Sequence, residues 1–256
     1  LSTPKRPYHM PLAEFIPVRL VGLGIFNEIY DNTENSNLKE VKEDAERVRK
    51  FFKSLGIKNK DTTFLWNGTY QDLDKLVTEL KLKYLAAQKD GVNTLFVIWY
   101  GGHGTILNTT TQVIVNESDP KLRCYPLELN LNHFSNYKHT YTVVIMDCCR
   151  TLFKQNGIGM DRGDGPEDKL AASLGQIKFV YGCQPGDATP ADSKLSQHVL
   201  EDIERQLKDY GYIQTISHHH IRPKNTKIDT RDNVDKLLHL QVEGNPPVPG
   251  PEEENL

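Results

Sequence analysis

The sequence lacks any apolar run able to cross a bilayer. Stretches such as Leu95–Tyr100 and Tyr141–Met146 fall far short of the roughly 20 residues a membrane helix needs, so a soluble chain with no membrane partner is expected. Basic tracts are missing too. The 31 basic and 34 acidic residues leave a formal net charge of -3 spread along the chain, which argues against a nucleic-acid partner. Cysteine is scarce: Cys124, Cys148, Cys149 and Cys183 have neither the paired spacing of a zinc site nor the density of a disulfide scaffold. The N-terminus, Leu-Ser-Thr-Pro-Lys-Arg-Pro, has no apolar segment of the signal-peptide kind, and a reducing, cytoplasmic location is expected. The sequons at Asn67, Asn108 and Asn116 would matter only after secretion and are read as chance. No internal repeat stands out.

What is present suffices for one full core: 38% of the 256 residues are hydrophobic. Phe15 to Phe26 is rich in Val, Ile and Leu and reads as a strand. Leu38 to Leu55 carries Leu38, Val41, Ala45, Val48, Phe51, Phe52 and Leu55 at the three-and-four spacing of an amphipathic helix, stopped by Gly56. Thr62–Trp66 follows as a strand and Tyr70–Gln88 as a helix, with Leu73, Leu76, Val77, Leu80, Tyr84 and Leu85 assigned to its apolar face. Asn93–Tyr100 shows no polar alternation, as a strand covered on both faces should. Then come a hairpin near Gln112–Val115, a weaker helix over Leu127–Tyr137, strands at Tyr141–Met146 and Gln176–Tyr181, and a helix over Leu195–Tyr210. This alternation predicts an α/β fold of three layers, a mainly parallel sheet with helices on both faces. Gln155–Lys169, rich in glycine and acid, reads as an exposed loop. A last strand is expected near Leu238–Val242. Residues 1–244 form the predicted domain, and 245–256 a Pro/Glu-rich flexible tail.

In open α/β sheets ligands bind beyond the carboxyl ends of the strands, and two of these strands end in reactive groups. One runs into Gly101-Gly102-His103-Gly104, the other into Asp147-Cys148-Cys149-Arg150. If the two strands are parallel neighbours, His103 and a cysteine meet at one sheet edge. A thiolate beside an imidazole can cleave an acyl bond, the ring taking the thiol proton and later protonating the leaving amine. The separation of 46 residues between His103 and Cys149 agrees with the roughly 50 expected of a caspase-like pair. Side chains alternate along a strand, so Asp147 and Cys149 should point one way and Cys148 the other. Cys149 is therefore the expected nucleophile, with Cys148 packed behind the sheet.

His-Gly after one strand and Asp-x-Cys after the next resemble the caspase-type cysteine peptidases, specifically the metacaspase and paracaspase branches. Gly24-Ile-Phe-Asn27, Val41-Lys-Glu-Asp44-Ala and Tyr181-Gly-Cys-Gln-Pro-Gly-Asp187-Ala add to the resemblance, which covers about Val18 to Tyr210. Caspases proper carry glutamine where this chain has Asp147 and cut after aspartate; the branches with aspartate there cut after arginine or lysine. The resemblance implies a three-layer caspase-like sandwich with His103 and Cys149 as catalytic dyad. It implies an oxyanion hole from the N–H groups of Gly104 and Cys149, and Asp44, Asp147 and Asp187 around the side chain preceding the cut bond. The substrate is then a protein or peptide with Arg or Lys at that position. Cys-Gln-x-Gly-acid and the Arg150 after the nucleophile lean towards paracaspases, while Gly101 and Arg150-Thr151 depart from the metacaspase pattern. No cofactor is required. Many metacaspases bind calcium, and Asp119, Asp161, Asp164 and Asp168 are candidate ligands without an evident oxygen-ligand spacing, which leaves calcium undecided. A homodimer through an edge strand also stays open.

Several features have blander readings. Gly22-x-Gly24 has Asn27 where a dinucleotide turn needs its third glycine. His218-His219-His220 reads as a solvated loop, and Cys124 and Cys183 carry no role. Asp44 alone would be a solvated acid on a helix, and Asp187 a turn aspartate. The alternatives to a basic-specific peptidase are a catalytically idle caspase-like scaffold or regulatory domain, and a cysteine peptidase of other specificity. Lys154, Arg162 and Lys169 beside or within the loop after the nucleophile make self-cleavage a direct expectation. Intact-mass analysis should show chain loss at one of these residues in the purified protein and none in Cys149→Ala; an unchanging mass in active protein would rule it out.

Overall fold

A computed structural model describes residues 19–30, 37–107, 110–119, 121–152, 177–182 and 195–210. Phe15–Val18, the loop Gln155–Lys169, Asp187, the strand expected at Leu238–Val242 and the tail lie outside the described residues. The first strand, β1, runs Arg19–Phe26, and helix α1 spans Val41–Ser54. That helix starts three residues later than its periodicity suggests because the Leu38 N–H is bound to the Glu28 carbonyl at 2.9 Å, tying Leu38 to the exit of β1.

Strand β2 (Thr62–Trp66) leads into α2 (Tyr70–Asp90). Thr69 caps α2 reciprocally with Asp72, satisfying two of the orphan N–H groups of its first turn. The helix runs past Gln88 to Gly91, which takes the left-handed conformation at φ 65°. Its buried stripe is Leu73, Leu76, Leu80, Tyr84 and Ala87. Leu85, expected on that face, is 43% exposed; it lies one helical step, about 100°, from Tyr84.

Then come β3 (Thr94–Gly101), β4 (Gly104–Leu107), β5 (Thr110–Ile114) and β6 (Cys124–Tyr125). The segment expected as one helix over Leu127–Tyr137 is only α3 (Leu127–Asn132) followed by a 3-10 turn, His133–Asn136. Asn130, Asn132 and Asn136 are weak helix formers, which keeps it short. Strands β7 (Thr140–Asp147), β8 (Thr151–Leu152) and β9 (Ile177–Tyr181) and helix α4 (Leu195–Tyr210) complete the described chain.

The main sheet has the order β2-β1-β3-β7-β9, and all its pairings are parallel. Its two faces are covered separately. On one side Val41, Ala45, Val48, Phe51 and Phe52 of α1 and Leu195, Val199 and Ile203 of α4 pack on Val97, Trp99, Val143 and Ile145. On the other, Leu73, Leu76 and Tyr84 of α2 and Leu127 and Leu131 of α3 pack on Ile98, Tyr100, Val144 and Met146. The expected three-layer α/β architecture is thus present, and covering both faces removes polar alternation from the central strands.

A second sheet, β6-β5-β4-β8, was legible only as a hairpin. Its strands are two to five residues long, too short for an alternating pattern to register. No described helix is long and apolar enough to cross a membrane.

Tyr84 clamps the α2 layer. It is fully buried, stacks on Phe96 with centroids 3.9 Å apart and on Phe134 at 4.7 Å, and shares a hydrogen bond with the Thr142 hydroxyl of β7. Tyr84→Ala should lower unfolding free energy by about 3–5 kcal/mol, whereas Tyr84→Phe, which only orphans the Thr142 hydroxyl, should cost about 1–3 kcal/mol. Urea unfolding of both variants checks the ratio.

Candidate active site

Strands β3 and β7 leave the main sheet side by side and re-pair in the second sheet. Gly101 pairs with Asp147 at the end of the first ladder, and Thr105 pairs with Thr151 in the second, again parallel. The offset is 46 residues on both sides of the gap. His103 and Cys149, 46 residues apart, therefore stand opposite each other between the sheets. The Gly102 N–H reaches the Asp147 carbonyl at 3.3 Å, and the chains are pressed so close at Gly104 that a Cβ there would lie 2.6 Å from the Cys148 sulfur and 2.7 Å from the Cys149 carbonyl oxygen. Only glycine fits.

The parity of β7 continues past its last residue. Cys148 is 2% exposed and packs with Val144 and Met146 on the α2 side, the place expected of it. Asp147 has the parity of Val143 and Ile145, and its Oδ1 would lie 3.2 Å from a Cβ on Gly182, a position also in contact with Leu195 of α4. Cys149 is half-buried, and like Cys124 and Cys148 it is a thiol rather than half of a disulfide.

Asp44 sits on the same face as Asp147, in the first turn of α1. It accepts a hydrogen bond from the Ser196 hydroxyl at the start of α4 and an ion pair from Arg47 at 2.9 Å. Burial nevertheless pushes its pKa above the ordinary aspartate value, with Ser196 and Arg47 only partly offsetting it. Two carboxylates from separate segments thus flank the N-terminus of α4. Asp187, the third, lies outside the described residues, as do Asp161, Asp164 and Asp168. Asp119 accepts the Lys121 N–H at 2.9 Å in its own turn, and among the described residues no three His, Cys, Asp or Glu side chains group as a metal site.

Several residues that shape the site carry no sequence signature. Tyr30 is 1% exposed, accepts the His103 N–H at 2.8 Å and lies 4.7 Å, centroid to centroid, from the His103 ring. Tyr100 donates to the His103 carbonyl at 2.7 Å. Burial raises the pKa of both phenols, so both remain protonated donors at neutral pH. Asn27, wholly buried, donates to the Ile114 carbonyl at 3.0 Å and accepts the Gly68 N–H at 3.1 Å, joining β1, β5 and the turn after β2.

Arg150 anchors the chain just after Cys149. It is 2% exposed, stacks over the Tyr181 ring at 3.7 Å and donates to Thr111 at 3.2 Å. Glu128 supplies the opposite charge nearby, accepting the Thr111 N–H at 2.6 Å and bonding to Tyr181. A buried cation is tolerated only with such compensation. The departure from the metacaspase pattern at Arg150 thus coincides with a packed structural role. Asn67, the asparagine of one sequon, accepts the N–H groups of Glu28 and Ile29 at 2.7 and 3.0 Å, a structural use of its amide.

A sequence model of the caspase domain matches residues 21–238, and the chain belongs to that family of cysteine peptidases. No curated protein matches it. Among solved structures it is similar to caspase-1 from Spodoptera frugiperda, with a TM-score of 0.54 and 15% identity over 82% of this chain and 80% of that one, a likeness of fold.

The contact at Gly104 gives a direct test of the strand-exit geometry. Gly104→Ala should force β4 away from Cys148 and Cys149 and cost about 1–3 kcal/mol. Its unfolding midpoint and its rate of iodoacetamide labelling at Cys149 should both change; wild-type values for both would mean that the two exits are not in contact.

Proposed function

We infer that this caspase-domain protein is an endopeptidase that cleaves after arginine or lysine, with Cys149 as nucleophile and His103 as general base and acid. The register match supports the reading most directly: the same offset of 46 residues holds on either side of the gap, which brings the chain positions of His103 and Cys149 level with each other at the carboxyl edge of a parallel sheet.

In this reading the substrate chain lies along the strand ends. His103 takes the Cys149 proton, and the thiolate attacks the scissile carbonyl to form a tetrahedral adduct whose oxyanion is held by the N–H groups of Gly104 and Cys149. Collapse breaks the C–N bond, with His103 donating its proton to the leaving amine. Water, deprotonated by His103, then releases the acyl group and restores the thiol.

The side chain before the cut bond reaches towards α4, where Asp147 and Asp44 carry the specificity. Asp147, at the end of β7 beside Cys148 and Cys149, is the principal reader of the substrate cation, and Asp44, with Arg47 beside it at 2.9 Å, a supporting one. Asp187, which lies outside the described residues, is the third carboxylate that the family resemblance assigns to this pocket. A buried carboxylate needs a paired cation, and a guanidinium or ammonium satisfies it where an aspartate would repel. The branch with aspartate at position 147 is accordingly the paracaspase and metacaspase one, leaning to the former.

Matched fluorogenic peptides with Arg, Lys or Asp before the cleaved bond, assayed with and without calcium, test the proposal. Cleavage after Arg and Lys should vanish in Cys149→Ala and His103→Ala. Asp147→Asn should lose about 2–5 kcal/mol of transition-state binding, roughly 30- to 5,000-fold in kcat/KM, and Asp44→Asn less. Because the Asp44 pKa is raised, its negative charge is lost at a higher pH than an ordinary aspartate's on acidification, so KM for the Arg peptide should climb early on the acid side and Asp44→Asn should blunt that climb. Preference for Asp would overturn the pocket, and inertness of every peptide would favour the idle scaffold.

A further inference from the structure

The main chain of His103 is held on both sides by tyrosine hydroxyls. Tyr30 accepts its N–H at 2.8 Å and Tyr100 donates to its carbonyl at 2.7 Å; the Ile114 N–H reaches the same carbonyl at 2.9 Å. Those hydroxyls also leave no room beside the preceding residue. A Cβ on Gly102 would lie 2.6 Å from the Tyr100 oxygen and 2.8 Å from the Tyr30 oxygen, so the turn can be made only by glycine.

Tyr30 does more than bind backbone. Its hydroxyl hydrogen is directed to the Asn27 carbonyl at 2.9 Å, which leaves a lone pair for the His103 N–H. Its ring is tilted 54° to the imidazole, with centroids 4.7 Å apart, a favourable aromatic arrangement. Its own main chain is fixed by the Asn37 side chain, which accepts the Tyr30 N–H at 2.7 Å. The phenol is also within electrostatic range of Cys148 and Cys149. One rigid side chain from the β1 exit therefore touches the backbone and the ring of a residue 73 positions away.

We propose that Tyr30 is a positioning residue for His103: its hydroxyl sets the height of the His103 peptide, and its ring sets the plane of the imidazole opposite Cys149. The proposal rests on the peptidase reading for its kinetic consequences, but the contact itself can be read independently. Catalysis is sensitive to such placement, since displacement of a reacting group by about 1 Å can cost on the order of 100-fold.

The test uses Tyr30→Phe and Tyr30→Leu in the full chain, with Tyr30→Met as a second ring-less variant should leucine not fold. On the Arg peptide, the ring-less variants should lose about 100-fold in kcat with KM unchanged, and Tyr30→Phe, which keeps the ring but loses the hydroxyl contact, should fall between them and the wild type. By NMR the His103 ring protons should carry a ring-current displacement that survives in Tyr30→Phe and disappears in Tyr30→Leu or Tyr30→Met. A folded ring-less variant with unchanged kcat, a rise in KM alone, or an unmoved His103 resonance would each overturn the proposal. If the wild-type protein cleaves nothing while the resonances respond as expected, the peptidase reading fails and the positioning contact stands.

Discussion

Parallel pairing of β3 with β7 is the constraint on which the site depends. The two strands share a ladder from Thr94 and Thr140 up to Gly101 and Asp147, and their continuations pair again at Thr105 and Thr151. Only two residues on one chain, Gly102 and His103, and three on the other, Cys148, Cys149 and Arg150, bridge the sheets, so neither can slip without breaking one ladder. A slip of one residue would also turn every buried side chain of β7 to the wrong face. The chain positions of His103 and Cys149 are consequently kept level with each other by backbone hydrogen bonds on both flanks, which makes that alignment a property of the whole sheet.

The same alternation sorts the chemistry between the two faces. Along β7, Val144, Met146 and Cys148 belong to the α2 and α3 side, and Val143, Ile145 and Asp147 to the α1 and α4 side. One thiol is thereby buried as a small apolar group, while a carboxylate is delivered to the side where Asp44 and Ser196 meet at the start of α4. The reading of Cys149 over Cys148 follows from that parity, and so does the placement of Asp147 on the α1 and α4 side. Both come from a period of two imposed by strand geometry.

Behind these residues lies a polar layer that the core has to satisfy. Asn27, Tyr30, Tyr100 and the Arg150, Thr111, Glu128 and Tyr181 cluster connect β1, β5, α3 and the exits of β3 and β7. Buried polar groups without partners are costly, and networks that satisfy them specify one arrangement. The sheet sets the register, and this layer fixes the turns. Asn27 and Tyr30 follow a strand that was easy to identify, yet nothing in Asn27-Glu-Ile-Tyr30 announces that its hydroxyl will meet a histidine in another turn.

Local patterning determined the helices and central strands, because their buried faces repeat at fixed periods: Val41, Ala45, Val48 and Phe52 at helical spacing, Leu95 to Tyr100 as an unbroken strand. It also marked both strand exits, since Gly101-Gly102-His103-Gly104 and Asp147-Cys148-Cys149 interrupt apolar runs with groups that a core would not keep without purpose. Ends of elements were less legible. The start of α1 depends on a hydrogen bond between Leu38 and Glu28, and Leu85 was misassigned because α2 presents a narrower stripe than its leucines suggest. Only the tertiary structure decided that β3 and β7 are neighbours in one register, that a second sheet of very short strands receives both, and that Tyr30 and Arg150 belong to the site. These are pairings between residues far apart in the chain, chosen by backbone hydrogen bonding and by the satisfaction of buried polar groups, and no periodicity within a single segment encodes them.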